Sequence, residues 1–343
     1  MYITSIFSFI RAKLVVLLVT FLGGVILSSC TQDESSQMPI EKEHTIKFKV
    51  NLKSNWENCN TRVKNNKSRG LAENDFSHAF GLFSGYYETE NGSTQTMNYM
   101  YNEECGESMN SWQTVKNFFF PPVNMDMSFY AYYPYLDDDV LNPYIVFNGG
   151  NKLHQGIPYF DFVIPDDVSE QVDLMVATAE MKSDKIREEE PVNLHFCHLL
   201  TAVRFTIDKS VPVGYIRSIS INHVADGGTY YYNGTQNWYS VNSNYKNYTL
   251  TKDIKTGTGS NISLADEDVF IMMPQFLDDE ATVSLTFDNG EEINFTSSLA
   301  EKHWEAGKIV TYNIKINSLY SMSLTATIEP WEDGETFNWT TSY

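Results

Sequence analysis

Basic residues are scarce in this chain of 343 residues: 24 lysines and arginines stand against 44 aspartates and glutamates, a net charge of −20. A polyphosphate partner is held by lysines and arginines that displace its counterions, so nucleic acid is not an expected partner. The surplus of acid serves solubility. Catalytic signatures are missing as well. No Gly-x-Ser-x-Gly elbow, His-Glu-x-x-His pair or phosphate-cradling Gly-Lys-Ser/Thr loop occurs, and Thr256-Gly257-Thr258-Gly259-Ser260 lacks the lysine a phosphate would need. Asp137-Asp138-Asp139 and Asp166-Asp167 lack the alternating oxygen ligands and tight glycine of a calcium loop and read as solvated turns. No enzyme, metal or cofactor is expected.

Long hydrophobic runs are also few, and the one that stands out is at the start. Arg11 and Lys13 precede an apolar run of fourteen residues, Leu14 to Leu27, followed by Ser28, Ser29 and Cys30. A spanning helix needs roughly 20 apolar residues, so residues 1–29 read as a cleaved signal peptide. Leu27-Ser28-Ser29-Cys30 looks like a lipobox, with Cys30 acylated and left as the first mature residue. At about 0.8 kcal/mol per buried methylene, several acyl chains hold a protein on a membrane without a spanning segment. Residues 30–44 then form a polar tether whose Asp33 and Glu34 suit export to the outer leaflet, and the expected location is the outer membrane of a diderm bacterium, facing outwards. Cleavage removes two basic residues and no acidic one, which takes the net charge to −22.

Cysteine is sparse: beyond Cys30 there are Cys59, Cys105 and Cys197. Three cannot all pair within one chain, and their spacing suggests no framework. Although the compartment permits a bridge, buried free thiols are expected. His195 and His198 lie three apart on an expected strand and so point to opposite faces. They read as packed histidines beside a cysteine, and not as a chelate.

What the chain has in quantity is aromatic residues, 21 Phe, 21 Tyr and 6 Trp, and two-residue alternation in short runs broken by Gly, Asn, Asp and Pro. The clearest is Ile46, Phe48, Val50 and Leu52 alternating with Lys47, Lys49, Asn51 and Lys53. Further strands are expected at 79–87, 127–135, 158–163, 173–179, 193–207, 215–222, 268–273, 282–287, 309–316 and 324–328. The fold class is therefore all-β, with strand spacing that suits sandwiches. The charge run at 183–190 is taken as a linker between a first β-sandwich domain at 45–182 and a second at 191–343.

The order of these features resembles the fimbrillin family, the subunits of type V pili. The likeness rests on the lipobox and acidic tether, the early amphipathic strand with an arginine-bearing loop behind it, and Phe129-Tyr130-Ala131-Tyr132-Tyr133-Pro134. It rests further on Asp173-Leu174-Met175, on His198-Leu199-Leu200-Thr201-Ala202-Val203-Arg204-Phe205, on Met273-Pro274-Gln275, and on Gly307 to Ile314. The resemblance implies two tandem transthyretin-like Greek-key sandwiches. It also implies assembly by strand exchange with other pilus subunits. A trypsin-like protease would cut after Arg69 or Arg62, of which Arg69-Gly70 is preferred for its flexible glycine. The strand bearing Ile46, Phe48, Val50 and Leu52 would then leave, and a neighbour's terminal strand would fill its place. Donor candidates are Leu324, Ala326 and Ile328 before Pro330, and Phe337 and Trp339 beyond it. The tail after Pro330 is short for a stalk subunit, and a tip or accessory adhesin fits as well.

A second expectation comes from a different class: a glycan-binding surface lipoprotein that captures polysaccharide for an uptake system; a host or bacterial surface glycan or protein is a further expected partner. Tyr230, Tyr231, Tyr232, Trp238 and Tyr239 could stack on sugars, although a tyrosine-rich hairpin is more often cross-strand packing.

Overall fold

The computed structural model describes residues 45–331, apart from 53–77, 89–96, 98, 109–110, 122–123, 137–142, 149–155, 188–189, 209–213, 233–237, 258–260, 265–267, 289–291, 300 and 319–320. These residues form one compact unit that begins at Glu43. Nearly everything in it is strand. In chain order the strands are β1 (Phe48–Leu52), β2 (Phe80–Glu88), β3 (Met100–Ser108), β4 (Ser111–Thr114), β5 (Met125–Tyr133), β6 (Ile145–Phe147), β7 (Tyr159–Val163) and β8 (Met175–Met181). A short helix, α1 (Ser183–Arg187), precedes β9 (Val192–His198), β10 (Thr201–Asp208), β11 (Tyr215–Ala225), β12 (Gly227–Tyr231), β13 (Ser240–Val241), β14 (Tyr245–Lys255) and β15 (Asn261–Ser263). The remainder are β16 (Phe270–Met272), β17 (Gln275–Phe276), β18 (Thr282–Asp288), β19 (Glu292–Ser298), β20 (His303–Trp304), β21 (Lys308–Ser318) and β22 (Ser321–Pro330). Among the described residues no helix is long and apolar enough to cross a membrane.

The first half closes on itself as a barrel in the order β1-β4-β3-β2-β5-β8-β9. Its interior is one hydrophobic cluster containing Ile46, Phe48, Phe80, Leu82, Phe129, Ala131, Tyr133, Met175, Val192, Leu194 and Phe196. The alternate residues of the same strands, Phe83, Tyr130, Tyr132 and Val176, enter a second cluster shared with the later sheets. This double burial explains why 129–133 is an unbroken apolar run: successive side chains of a strand face opposite ways, and here both ways are core. Gly81 makes room for one of these rings, since a Cβ there would lie 2.0 Å from the Tyr132 ring.

The second half places β15-β10-β21-β22 and β14-β11-β18-β19 as separate sheets, while β13-β12-β7-β6 joins strands from both halves. Pairing therefore crosses the position expected for a domain boundary. β12 pairs with β7, and β9, which follows the charge run, returns to pair with β8 and β1. Residues 183–190 are thus a link between two neighbours of one barrel, and not a spacer between sheets. Within the run, α1 buries Ile186 against the barrel interior, and the Ser183 N–H donates to Asp126 Oδ1 at 3.0 Å. Lys182 Nζ donates to the other oxygen of Asp126 at 2.9 Å, which pushes the lysine pKa up. The run expected at 193–207 likewise divides into β9 and β10, with the chain changing sheet at Leu199-Leu200.

Candidate functional site

Most neighbouring strands are antiparallel, and β1 departs from that pattern. It lies parallel to β9 in the register Phe48↔Val192 through Leu52↔Phe196, extended by a bond from the Val192 N–H to Lys47 O at 2.8 Å. A parallel neighbour cannot come from a hairpin, and here it comes from the far end of the barrel sequence. On its other side β1 is held only near its start. Phe48 pairs with Trp112 of β4, Thr45 forms a bridge with Phe119, and the Ile46 N–H donates to Phe118 O at 2.9 Å. From Lys49 to Leu52 no strand flanks that second side among the described residues.

The side chains follow the alternation seen in the sequence. Ile46 and Phe48 are buried, Lys47 and Lys49 are exposed, and Val50 is half-buried against the same cluster. Phe48 is the anchor: its ring meets Phe80 edge-on at 6.2 Å and Phe129 at 5.7 Å. At about 1.5 to 3 kcal/mol per buried apolar side chain, Ile46 and Phe48 together contribute roughly 3 to 6 kcal/mol, an upper bound because denatured chains already bury some surface.

The donor candidates Leu324, Ala326 and Ile328 lie on β22, which pairs with β21 from Ser321↔Ser318 to Pro330↔Lys308. Among the described residues no strand pairs with its other side. Leu324 and Ala326 are half-buried on the apolar cluster of the second half, whereas Ile328 is 49% exposed. Cys30, Arg62, Arg69, Phe337 and Trp339, and also Cys59, lie outside the described residues.

Sequence reasoning missed how the end of β22 is fastened. Trp331 is fully buried, its N–H donates to Gly307 O at 3.0 Å, and its ring stacks on His198 at 4.2 Å with the planes 9° apart. His198 Nδ1 lies 2.9 Å from Asp173 Oδ1, both side chains almost without solvent. Trp238 closes the same junction, its indole N–H donating to Leu199 O at 3.0 Å. A lone tryptophan after a proline was the available signal. His198 is packed, as expected, at the end of β9, two residues beyond Phe196, which pairs with Leu52 of β1.

The cysteines divide. Cys105 is free and buried, and burial, helped by the charge of Glu104, pushes its thiol well up, so it stays protonated and inert. Cys197 of β9 is disulfide-bonded, which corrects the expectation of a free thiol there; spacing carried no hint of it. Among the described residues no group of three His, Cys, Asp or Glu could hold a metal ion. Asp167 instead accepts bonds from the Ser169 hydroxyl and N–H at 2.7 and 2.9 Å, which hold its carboxyl below the usual range.

Of the aromatics expected to meet sugar, Tyr230, Tyr232 and Trp238 belong to the core. Burial pushes the Tyr230 and Tyr232 hydroxyls well up. Only Tyr231 and Tyr239 face solvent, and Tyr231 stacks on Tyr159 of β7.

With this geometry in hand, the comparisons with known proteins are decisive for the family. A family described as fimbrillin-like matches residues 61–331. The chain belongs to that family. Its members are fimbrial and adhesion proteins. Fimbrium subunit Fim1C of Phocaeicola vulgatus is 24% identical over 195 residues, which cover 54% of this chain and 49% of that one, so the chain spans about half the length of the curated relative it matches. A proposed cell adhesion protein from Bacteroides ovatus superposes with a TM-score of 0.57 at 18% identity, covering 84% of this chain and 98% of the other. A fimbrial protein from Bacteroides vulgatus gives a TM-score of 0.53 at 15% identity over 84% of this fimbrillin-like chain and all of its own. At such identities the two structures speak for the fold alone.

Proposed function

We propose that this fimbrillin-like protein is a lipid-anchored surface subunit of a pilus, in the stalk or at the tip, that joins other subunits by strand exchange. Cys30 would carry the lipid and hold the precursor on the outer membrane. Cleavage after Arg69, or after Arg62, would free the C-terminal end of the segment that holds β1. The observation that carries this reading is the pairing of Lys49 to Leu52 on one side only among the described residues: there the end of β1 nearer the cut has one ladder to break, where its beginning has contacts on both flanks. Peeling would start there and finish at Phe48.

Departure of β1 would leave the backbone of β9 from Val192 to Phe196 without its parallel neighbour, and empty seats beside Phe80 and Phe129. An open edge of this kind recruits a replacement strand. A neighbour's donor needs apolar residues at alternate positions, a pattern that β22 offers with Leu324, Ala326 and Ile328 and the tail repeats with Phe337 and Trp339.

The test is recovery of the protein from intact cell surfaces, with and without a trypsin-like protease, followed by gel analysis and N-terminal sequencing. Detergent-resistant oligomers whose subunits begin at Gly70, or at Val63, are the expected result. A monomer that still starts at Cys30 after protease treatment excludes polymerisation by this route.

A further inference from the structure

The sheet β13-β12-β7-β6 contains neither β1 nor β22, so strand exchange leaves it untouched. Its inner face is core: Phe160, Phe162, Tyr230 and Trp238 are all buried there. Gly227 and Gly228 bring the strands close, since a Cβ on either would lie 2.1 Å from Phe162 O or 2.3 Å from Ser240 O.

Its outer face presents a row of tyrosines. Tyr159 and Tyr231 are directly opposed in the register, with rings stacked at 4.7 Å and 15°. Tyr239 follows at 5.0 Å from Tyr231, turned by 62°, and it is 73% exposed. The adjoining row holds Asp161 and Thr229, also opposed, with the Thr229 hydroxyl donating to Asp161 Oδ1 at 2.6 Å. Val146 lies beyond Asp161 and is 43% exposed. Tyrosine stacking across a pair of strands stabilises a sheet, and that accounts for Tyr159 and Tyr231. It does not account for Tyr239, which projects into water and gains little burial from its neighbour.

We propose that Tyr159, Tyr231 and Tyr239 form a binding platform for an uncharged glycan, with Asp161 accepting hydrogen bonds from sugar hydroxyls. A sugar ring offers an apolar C–H face to an aromatic face and hydroxyls at its rim, which match tyrosines bordered by a carboxylate and a threonine. An anionic polymer is disfavoured by Asp161 and by the net charge of the chain. Tyr239 and Val146 are exposed to solvent, so a single site is expected to bind weakly; repetition along a polymer would multiply that binding. That last step rests on the pilus reading, whereas the site itself does not.

Native gels cast with galactomannan, xyloglucan or neutral mucin glycans, run on the uncut chain lacking residues 1–29, test the site apart from assembly. At least one polymer is expected to retard the protein. Tyr239→Ala and Tyr231→Ala are each expected to weaken retardation by about tenfold or more, the equivalent of one lost aromatic contact, with Tyr239→Phe retaining most of it. Phe276→Ala is the control: Phe276 is 81% exposed elsewhere, stacked on His303 at 4.0 Å, and its loss should leave retardation unchanged. The proposal is overturned if no polymer retards the protein, if Tyr239→Ala and Tyr231→Ala migrate like the parent, or if sedimentation shows that Tyr239 mediates pairing of two copies instead. Cells carrying Tyr239→Ala should still form the oligomer ladder, which separates failure here from failure of the pilus reading.

Discussion

The first and last strands of the described chain are held in opposite ways. β1 has its side chains deep in a barrel, with Phe48 between Phe80 and Phe129, but over its second half the described residues give its backbone only β9. β22 has a backbone ladder with β21 along its full length, but its inward side chains are half-buried at best. Burial fixes where β1 sits, and hydrogen bonds fix where β22 lies. A strand that can be replaced should look like the first, because its apolar seats specify the replacement. A strand that can be moved should look like the second, because its backbone bonds are re-formed wherever it lands.

Truncating the two anchors gives the largest effects and tests this contrast directly. Phe48→Ala should cost the uncut protein about 3 to 5 kcal/mol, the usual range for a buried Phe truncated in a core, read as a lower urea midpoint. Trp331→Ala, in the same range, should act locally instead. Without the stack on His198 the end of β22 is freed, and amide exchange across 321–330 should quicken while that of 192–196 stays slow. Equal quickening of both segments would mean that the two strands are one cooperative unit, and the contrast would be gone.

Next in size is the bridge at Cys197, which lies in β9 immediately after the residue that pairs with Leu52. Cys105 is free, and the sequence has two other cysteines, Cys30 and Cys59; with Cys30 acylated as proposed, the expected partner is Cys59, which lies outside the described residues. Removing such a bridge typically costs about 2 to 4 kcal/mol. A bridge to Cys59 would tie the segment that follows β1 to β9, so the proposed release of β1 would need both the cut and reduction of this bridge. After cleavage at Arg62 or Arg69 the N-terminal fragment should stay attached on a denaturing gel until reductant is added. A fragment that separates without reductant removes Cys59 from the bridge and leaves strand release independent of redox state.

How far the sequence foretold this arrangement depends on range. β1 and β21 were legible because their alternation is local and one face of each meets water or a mixed surface. β14 was not: in Tyr245–Lys255 only Tyr248 and Ile254 are buried, too few for a hydrophobic pattern to register. β12 begins on two glycines that local rules read as a turn, and they become strand only because Phe162 and Val163 approach so closely. The parallel pairing of β1 with β9, the sheet that spans both halves and the bridge at Cys197 all join residues far apart in the chain, and no local pattern encodes such a partner. The same limit applies to the tyrosine platform. Tyr231 and Tyr239 stood out in the sequence together with three core aromatics, while Tyr159, which completes the row, was invisible until the register put it opposite Tyr231.

The smallest expected effect on stability discriminates most sharply between the two strands. Ile328 is half exposed at the end of β22, and Ile328→Ser should change stability by no more than about 0.5 kcal/mol, as surface substitutions generally do. In a donor strand that same side chain would have to enter a neighbour's barrel, where a serine hydroxyl without a partner is costly. Ile328→Ser subunits with an unaltered urea midpoint and a shortened oligomer ladder would therefore make β22 a strand with two resting places, exposed in one and buried in the other. If the ladder is unchanged, β22 stays home, and the donor must be sought in the tail that carries Phe337 and Trp339.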